Sequence, residues 1–208
     1  MQHSTIDRIN PRNETEVSGL LLEHFARYYF STPYIHGGRV LDFGCGSGYG
    51  SQMIAKILKK EIEEVVAIDI DLPSITEAKA YYYHPLITFL QEDCLNKQLP
   101  TTIGKFKTIL SFQTVEYILD KTDKTIFMEN VYELLQPGGT LILSTLLKTN
   151  ETKVLEASPI RPLRQQQFIE LFTTFSQVEF YYQRGVTIEK HRDNTHYPVG
   201  VAVCRKSL

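Results

Sequence analysis

Between Glu14 and Phe30, apolar residues recur at helical spacing (Val17, Leu20, Leu21, Leu22, Phe25, Tyr28 and Tyr29) and predict a helix. Ser31-Thr32-Pro33 ends it, because the residue before a proline avoids helical angles. The pattern then changes to short apolar runs alternating with amphipathic stretches. Arg39–Phe43, Val65–Asp69, Leu86–Leu90, Phe106–Phe112 and Thr140–Thr145 read as strands. Tyr49–Lys60, Pro73–Tyr82 and Asp123–Leu135 read as helices between them, the last ended by Pro137-Gly138-Gly139. Residues 146–163, with Pro159 and Pro162, read as loop, and a helix is expected from Arg164 to about Phe172. Strands near Gln177–Gln183 and Pro198–Arg205 complete the pattern as a hairpin with a long loop.

This alternation predicts an α/β fold: a doubly wound, seven-stranded mixed sheet with an antiparallel C-terminal hairpin. Its ligand crevice is expected at the carboxyl ends of the strands. With no repeat or linker, the 208 residues read as a single domain. Residues 1–38 form an arm and capping helix, 39–145 the core, and 146–208 a substrate-side loop, helix and hairpin.

Composition removes several functions. Lys and Arg total 22 against 24 Asp and Glu, so no electrostatic footprint for nucleic acid or an anionic membrane is expected. Cys45, Cys94 and Cys204 are too few for a disulfide framework and lack paired metal spacing, so no metal is expected. No apolar run approaches a membrane span, and Met1-Gln2-His3-Ser4-Thr5 does not begin like a signal peptide. The expectation is a cytoplasmic protein, monomer or homodimer.

The most informative segment is Asp42-Phe43-Gly44-Cys45-Gly46-Ser47-Gly48-Tyr49-Gly50, a strand entering a glycine loop and a helix. Glycines there let a ligand approach backbone that side chains would cover. The dinucleotide pattern G-x-G-x-x-G fails in both registers, since its third glycine would be Tyr49 or Ser51. Nor does a Lys-Ser or Lys-Thr follow, as a nucleotide-hydrolase loop requires. What remains is D-x-G-x-G-x-G, at Asp42, Gly44, Gly46 and Gly48.

In this the sequence resembles the class I S-adenosylmethionine-dependent methyltransferases. The resemblance runs over about residues 39–145 and implies S-adenosylmethionine as cofactor. It implies that Asp42, Gly44, Cys45, Gly46 and Gly48 form the loop beneath the cofactor. Asp69, beside Ile70, would accept hydrogen bonds from both ribose hydroxyls, with Asp71 a nearby competitor. Asp93 would accept from the adenine amino group, and the Cys94 N–H would donate to a ring nitrogen. The stretch Phe106–Tyr117 looks like the family's F-D-x-V-x-S-F-E-x-x-E-H, bringing Phe112 and Gln113 to the site. Lys107, Gln113 and Tyr117 depart from that pattern, where the family has Asp, Glu and His. Leu134–Ile142 resembles its helix-to-strand connector.

Methyl transfer needs positioning and desolvation more than protein nucleophiles. If the acceptor is a hydroxyl, a base assists; Tyr117, His36, His84, His191 and His196 are candidates by residue type, Tyr117 being the one within the motif. The implied activity is transfer to a small molecule or sugar, at oxygen ahead of nitrogen or carbon. The layout is similar to methyltransferases of glycan and cell-surface polysaccharide synthesis. Arg161 and Arg164, beside Pro159 and Pro162, would suit an anionic or polyhydroxyl acceptor. The alternative is an inactive S-adenosylmethionine-binding module or partner subunit, for which Gln113 and Tyr117 give the only footing.

Overall fold

The computed structural model describes residues 11–12, 18–149 and 159–208. The expected arm, the first turn of the first helix and much of the loop after the fifth strand lie outside the described residues. Helix α1 (Gly19–Ser31) begins at Ser18, whose hydroxyl accepts the Leu21 N–H at 3.2 Å and satisfies one of the orphan donors of the first turn. There follow β1 (Arg39–Phe43), α2 (Tyr49–Ile57), β2 (Glu64–Asp69), α3 (Leu72–Tyr81), β3 (Ile87–Gln91), α4 (Leu99–Thr102) and β4 (Phe106–Phe112). The rest comprises α5 (Lys121–Leu134), β5 (Leu135–Leu146), α6 (Gln165–Glu170), β6 (Gln177–Arg184), β7 (Thr187–Glu189) and β8 (Val199–Arg205).

The strands form one sheet in the order β3-β2-β1-β4-β5-β8-β6-β7. The first five are parallel, and β8 lies antiparallel between β5 and β6. Neighbouring strand residues point to opposite faces, so the apolar runs are buried twice over. Leu41, Val66, Ile109 and Leu141 pack with Phe127 and Val131 of α5 on one face. Val40, Val65, Leu110 and Ile142 pack with Tyr28 of α1 and Ile54 of α2 on the other. The order reverses between β1 and β4: the chain builds outward through β2 and β3, then returns to the other side of β1. Helices diverge at such a point and leave a crevice at the carboxyl ends of the strands.

Eight strands stand where seven were expected. The extra one, β7, has three residues, too few for an alternating pattern; it pairs with β6 across the tight turn Gly185-Val186. The C-terminal pair is antiparallel as expected, but β8 also joins β5. Helix α5 gives way to β5 at Leu135, so Pro137-Gly138-Gly139, expected to end the helix, lies inside β5, where the pairing with β4 shifts between Phe106 and Thr108. Among the described residues, no helix is long and apolar enough to cross a membrane.

Candidate active site

A cavity of about 740 Å³ opens at the reversal, a volume in the range of small-molecule sites. The turn from β1 into α2 forms part of its wall. Gly44 and Cys45 each donate N–H to the Ile68 carbonyl at 2.9 Å, Gly46 to Asp69 Oδ2 at 2.9 Å, and Gly48 to the Cys45 carbonyl at 3.1 Å. A phosphate cradle keeps such donors turned toward its ligand. Here they are spent inside the protein, the structural counterpart of the failed dinucleotide spacing. The loop instead offers bare backbone. A Cβ on Gly46 would meet no protein atom within 4 Å, so that position faces open space. Ser47, only 6% exposed, lines the cavity with a hydroxyl that finds no partner among the described residues. Leaving such a group unpaired costs about 1–3 kcal/mol, which a bound ligand can recover.

Asp69 ends β2 beside this loop, and its two oxygens accept the Gly46 and Asp71 N–H groups at 2.9 Å each. An ionised carboxylate is acceptor-only, the chemistry that two hydroxyl donors require. Asp71, its competitor, caps α3 instead, taking the N–H and hydroxyl of Ser74 at 2.9 and 2.6 Å. Ile70, Asp93 and Cys94 line the cavity with Gly44, Cys45 and Gly46; Phe112, Gln113 and Tyr117 line it from the end of β4 onward.

Two of the expected loop residues lie elsewhere. Asp42 is 1% exposed behind the cavity wall, accepting the Ser51 hydroxyl at 2.6 Å and the Tyr28 hydroxyl at 3.1 Å. It ties α1 and α2 to β1, and burial pushes its carboxyl up to about 6 against the pull of those donors. Gly48 also stays out of the cavity; a Cβ there would strike Phe89 and Ala78, so its smallness serves the packing of α2 on β3 and α3.

Helix α1 adds a further wall through Leu20, Glu23, His24 and Tyr28. Helix α1 comes this close because residue 50 is glycine: a Cβ there would sit 1.9 Å from the Tyr28 ring. His24 Nδ1 lies 2.8 Å from the Tyr49 hydroxyl. Burial, and then the Arg27 charge, lower the imidazole to about 3, while a hydrogen bond with Gln113 works the other way; the ring is neutral at physiological pH. Arg27 is fully buried. Its Nη1 donates to Gln183 Oε1 at 2.6 Å and its Nη2 to Gln113 Oε1 at 3.0 Å, while Nε has no partner among the described residues. Gln183 passes the connection on, donating to the Glu23 and Gly185 carbonyls. Gln113 is itself a non-glycine residue at φ 54°, a left-handed conformation that something must hold. Glu116, also fully buried, accepts the Thr145 hydroxyl and the Leu146 N–H; burial raises it to about 7, with Arg27 pulling it down.

This wall departs from the sequence reading. His36, His84, His191 and His196 do not line the cavity, and His24 does. Arg161 and Arg164 are not lining residues either: Arg161 donates from its backbone to the Glu116 carbonyl and from Nη1 to that of Ile160, and Arg164 caps α6. The signal that could have found the wall is a helical stripe: Leu20, His24, Arg27 and Tyr28 share a face of α1, and a histidine and arginine on an otherwise apolar stripe mark a polar site inside.

Residues 40–139 match the methyltransferase domain family. A protein named as a probable S-adenosylmethionine-dependent methyltransferase of Mycolicibacterium smegmatis is 28% identical over 109 residues, covering 52% of this chain and 38% of its own length. A ubiquinone biosynthesis O-methyltransferase of Azorhizobium caulinodans is 26% identical over 141 residues, 68% of this chain and 53% of its own. The chain thus spans about two fifths to a half of the curated relatives it matches. In fold, it superposes on the N-methyltransferase NodS of Bradyrhizobium japonicum, solved with S-adenosyl-L-homocysteine, with TM-score 0.66 at 18% identity, over 89% of this chain and 87% of that one. Residues 40–139 are a class I methyltransferase domain.

The cofactor of such a domain is S-adenosylmethionine, and the residues present fit it. The methyltransferase loop has bare backbone at Gly46 and, among the described residues, an unpaired hydroxyl at Ser47, with the Asp69 carboxylate beside it on the cavity wall. None of these demands a phosphate.

Proposed function

We propose that the chain transfers a methyl group from S-adenosylmethionine to the oxygen of a small-molecule acceptor. The observation that carries this reading is the glycine turn, whose donors face inward while its Gly46 position faces open cavity. When bound, the cofactor supplies a sulfonium methyl open to in-line displacement. Gly44, Cys45 and Gly46 would lie beneath it, Asp69 would receive the ribose hydroxyls, and Asp93 and Cys94 would take the adenine. Helix α1 with Leu146 and Val199 closes the opposite side and excludes water from the reacting atoms. Neutral His24 keeps a second positive charge away from the sulfonium. Tyr117, exposed at the cavity, is our candidate for orienting the acceptor hydroxyl.

Thermal unfolding with candidate ligands tests the reading. S-adenosylmethionine and S-adenosylhomocysteine at ~100 times their dissociation constants should add roughly 2.7 kcal/mol, and NAD and ATP nothing. Asp69→Asn should weaken S-adenosylhomocysteine binding about tenfold or more, since it removes a charge-assisted acceptor on the order of 1.5–3 kcal/mol. Asp71→Asn should change little, because asparagine caps a helix as well as aspartate does. Stabilisation by NAD without any by S-adenosylmethionine would overturn the proposal.

A further inference from the structure

We propose that the acceptor is an apolar-bodied alcohol or phenol carrying no negative charge; this rests on the methyltransferase reading above. The sheet order divides the cavity. The cofactor residues belong to the β1, β2 and β3 side, which leaves the acceptor the side beneath β4, β5 and β8, roofed by α1. Leu20, Leu146, Pro198 and Val199 wall that side, with the ring of Tyr117. Its hydrogen-bonding groups are uncharged: the Gln113 amide, the Tyr49 hydroxyl and His24, which burial and Arg27 hold neutral. Its charged lining group is Glu23, and Glu92, Asp120 and Asp123 add carboxylates to the same cavity. A cleft lined by one sign of charge repels ligands of that sign, and an anion entering here would shed its hydration facing carboxylates. Arg27 does not line the cavity, and its two Nη atoms donate behind the wall to Gln183 and Gln113, so an entering anion meets no arginine or lysine side chain among the lining residues. An uncharged, apolar molecule with one hydroxyl meets walls that match it.

The chain, saturated with S-adenosylmethionine, is offered neutral compounds beside their anionic counterparts: catechol with protocatechuate, naphthol with hydroxynaphthoate, a hexose with its phosphate. Methyl incorporation should give kcat/KM at least about tenfold higher for a neutral aromatic member than for its anionic partner. Glu23→Lys should shrink that ratio about threefold or more. Anionic members that react equally or faster, reaction confined to the hexose pair, or no neutral aromatic member reacting at all would each overturn the acceptor class. Stabilisation by S-adenosylhomocysteine is read on the same samples. Its absence sinks the methyltransferase reading itself; its presence with any of those outcomes sinks the acceptor class alone.

Discussion

The two sides of the cavity are built on different principles. On the β1–β3 side, backbone does most of the work: the Ile68 carbonyl takes the Gly44 and Cys45 N–H groups and the Cys45 carbonyl takes that of Gly48, while Gly46 turns to the Asp69 carboxylate. On the α1 side, side chains carry the structure, and the partners are far apart in sequence: Arg27 reaches Gln113 and Gln183 at separations of 86 and 156 residues. A backbone-built site tolerates many side chains provided its glycines remain. A side-chain-built site stands or falls with individual residues, so substitutions should discriminate between the two, ranked here by their effect on the ligand-free fold.

The largest effect is expected at Arg27. Arg27→Met keeps an unbranched apolar stem but leaves the Gln113 and Gln183 side-chain carbonyls without their donor and Glu116 without the cation that holds it down. Breaking a buried polar arrangement by removing one member costs about 3 kcal/mol or more. The matched change on the other side is Ser51→Ala, which deletes one hydrogen bond to Asp42 and should cost about 1–2 kcal/mol. Urea unfolding of both variants measures the contrast. Equal losses would show that the α1 side depends on its side chains no more than the glycine turn does.

The same contrast explains what could be read from the sequence. Gly44, Gly46 and Asp69 sit at fixed offsets from strand ends, so pattern alone finds them. Asp42 shares that pattern but lies behind the wall, because a motif gives spacing and not the direction of a side chain; at β1 it accepts from Ser51 and Tyr28. Gln113 is visible as a departure from the family stretch, but its partner Arg27 is visible only once α1 folds over α2 at Gly50. His24 differs from the histidines outside the cavity only in the company it keeps, on a helical stripe with Leu20, Arg27 and Tyr28. Strand β7 was lost for a simpler reason, its shortness. Local order carries the β1–β3 side of the cavity, and only tertiary packing assembles the α1 side.

A pH titration sharpens the comparison at intermediate size. His24 is lowered to about 3 in the fold against 6.5 in the open chain, so the unfolded state binds the extra proton between those values. Its contribution is fully present above pH 6.5 and is lost as pH falls toward 3. Asp42 and Glu116 run the other way: raised to about 6 and 7, they lose stability as pH rises through their ordinary range up to those values. The opposing slopes partly cancel in the native protein. His24→Gln removes one of them, so relative to the native protein the variant should gain about 1–2 kcal/mol at pH 5 over its standing at pH 8, after allowance for the partial exposure of the ring. Unfolding free energies at the two pH values check this. A constant difference between variant and native protein would mean that the imidazole titrates normally and is not held neutral by α1.

The smallest effect on the empty fold is expected at Gly46, and it tests whether the glycine turn is truly built of backbone. Its φ of +55° lies in the left-handed region, where an alanine costs on the order of 1–2 kcal/mol. A new Cβ would meet no protein atom within 4 Å, so no clash adds to that cost. Gly46→Ala should therefore fold, with a loss at the low end of that range. The space it fills is the cavity itself, where the cofactor would lie against the turn. Affinity for S-adenosylhomocysteine should fall by well over a factor of about ten, more than the roughly fivefold that strain of about 1 kcal/mol could transmit to binding. Calorimetric titration of the folded variant decides between the two causes. A variant that loses stability but binds normally would place the cofactor away from Gly46; one that keeps its stability and loses binding shows that the glycine is there for the ligand and not for the turn.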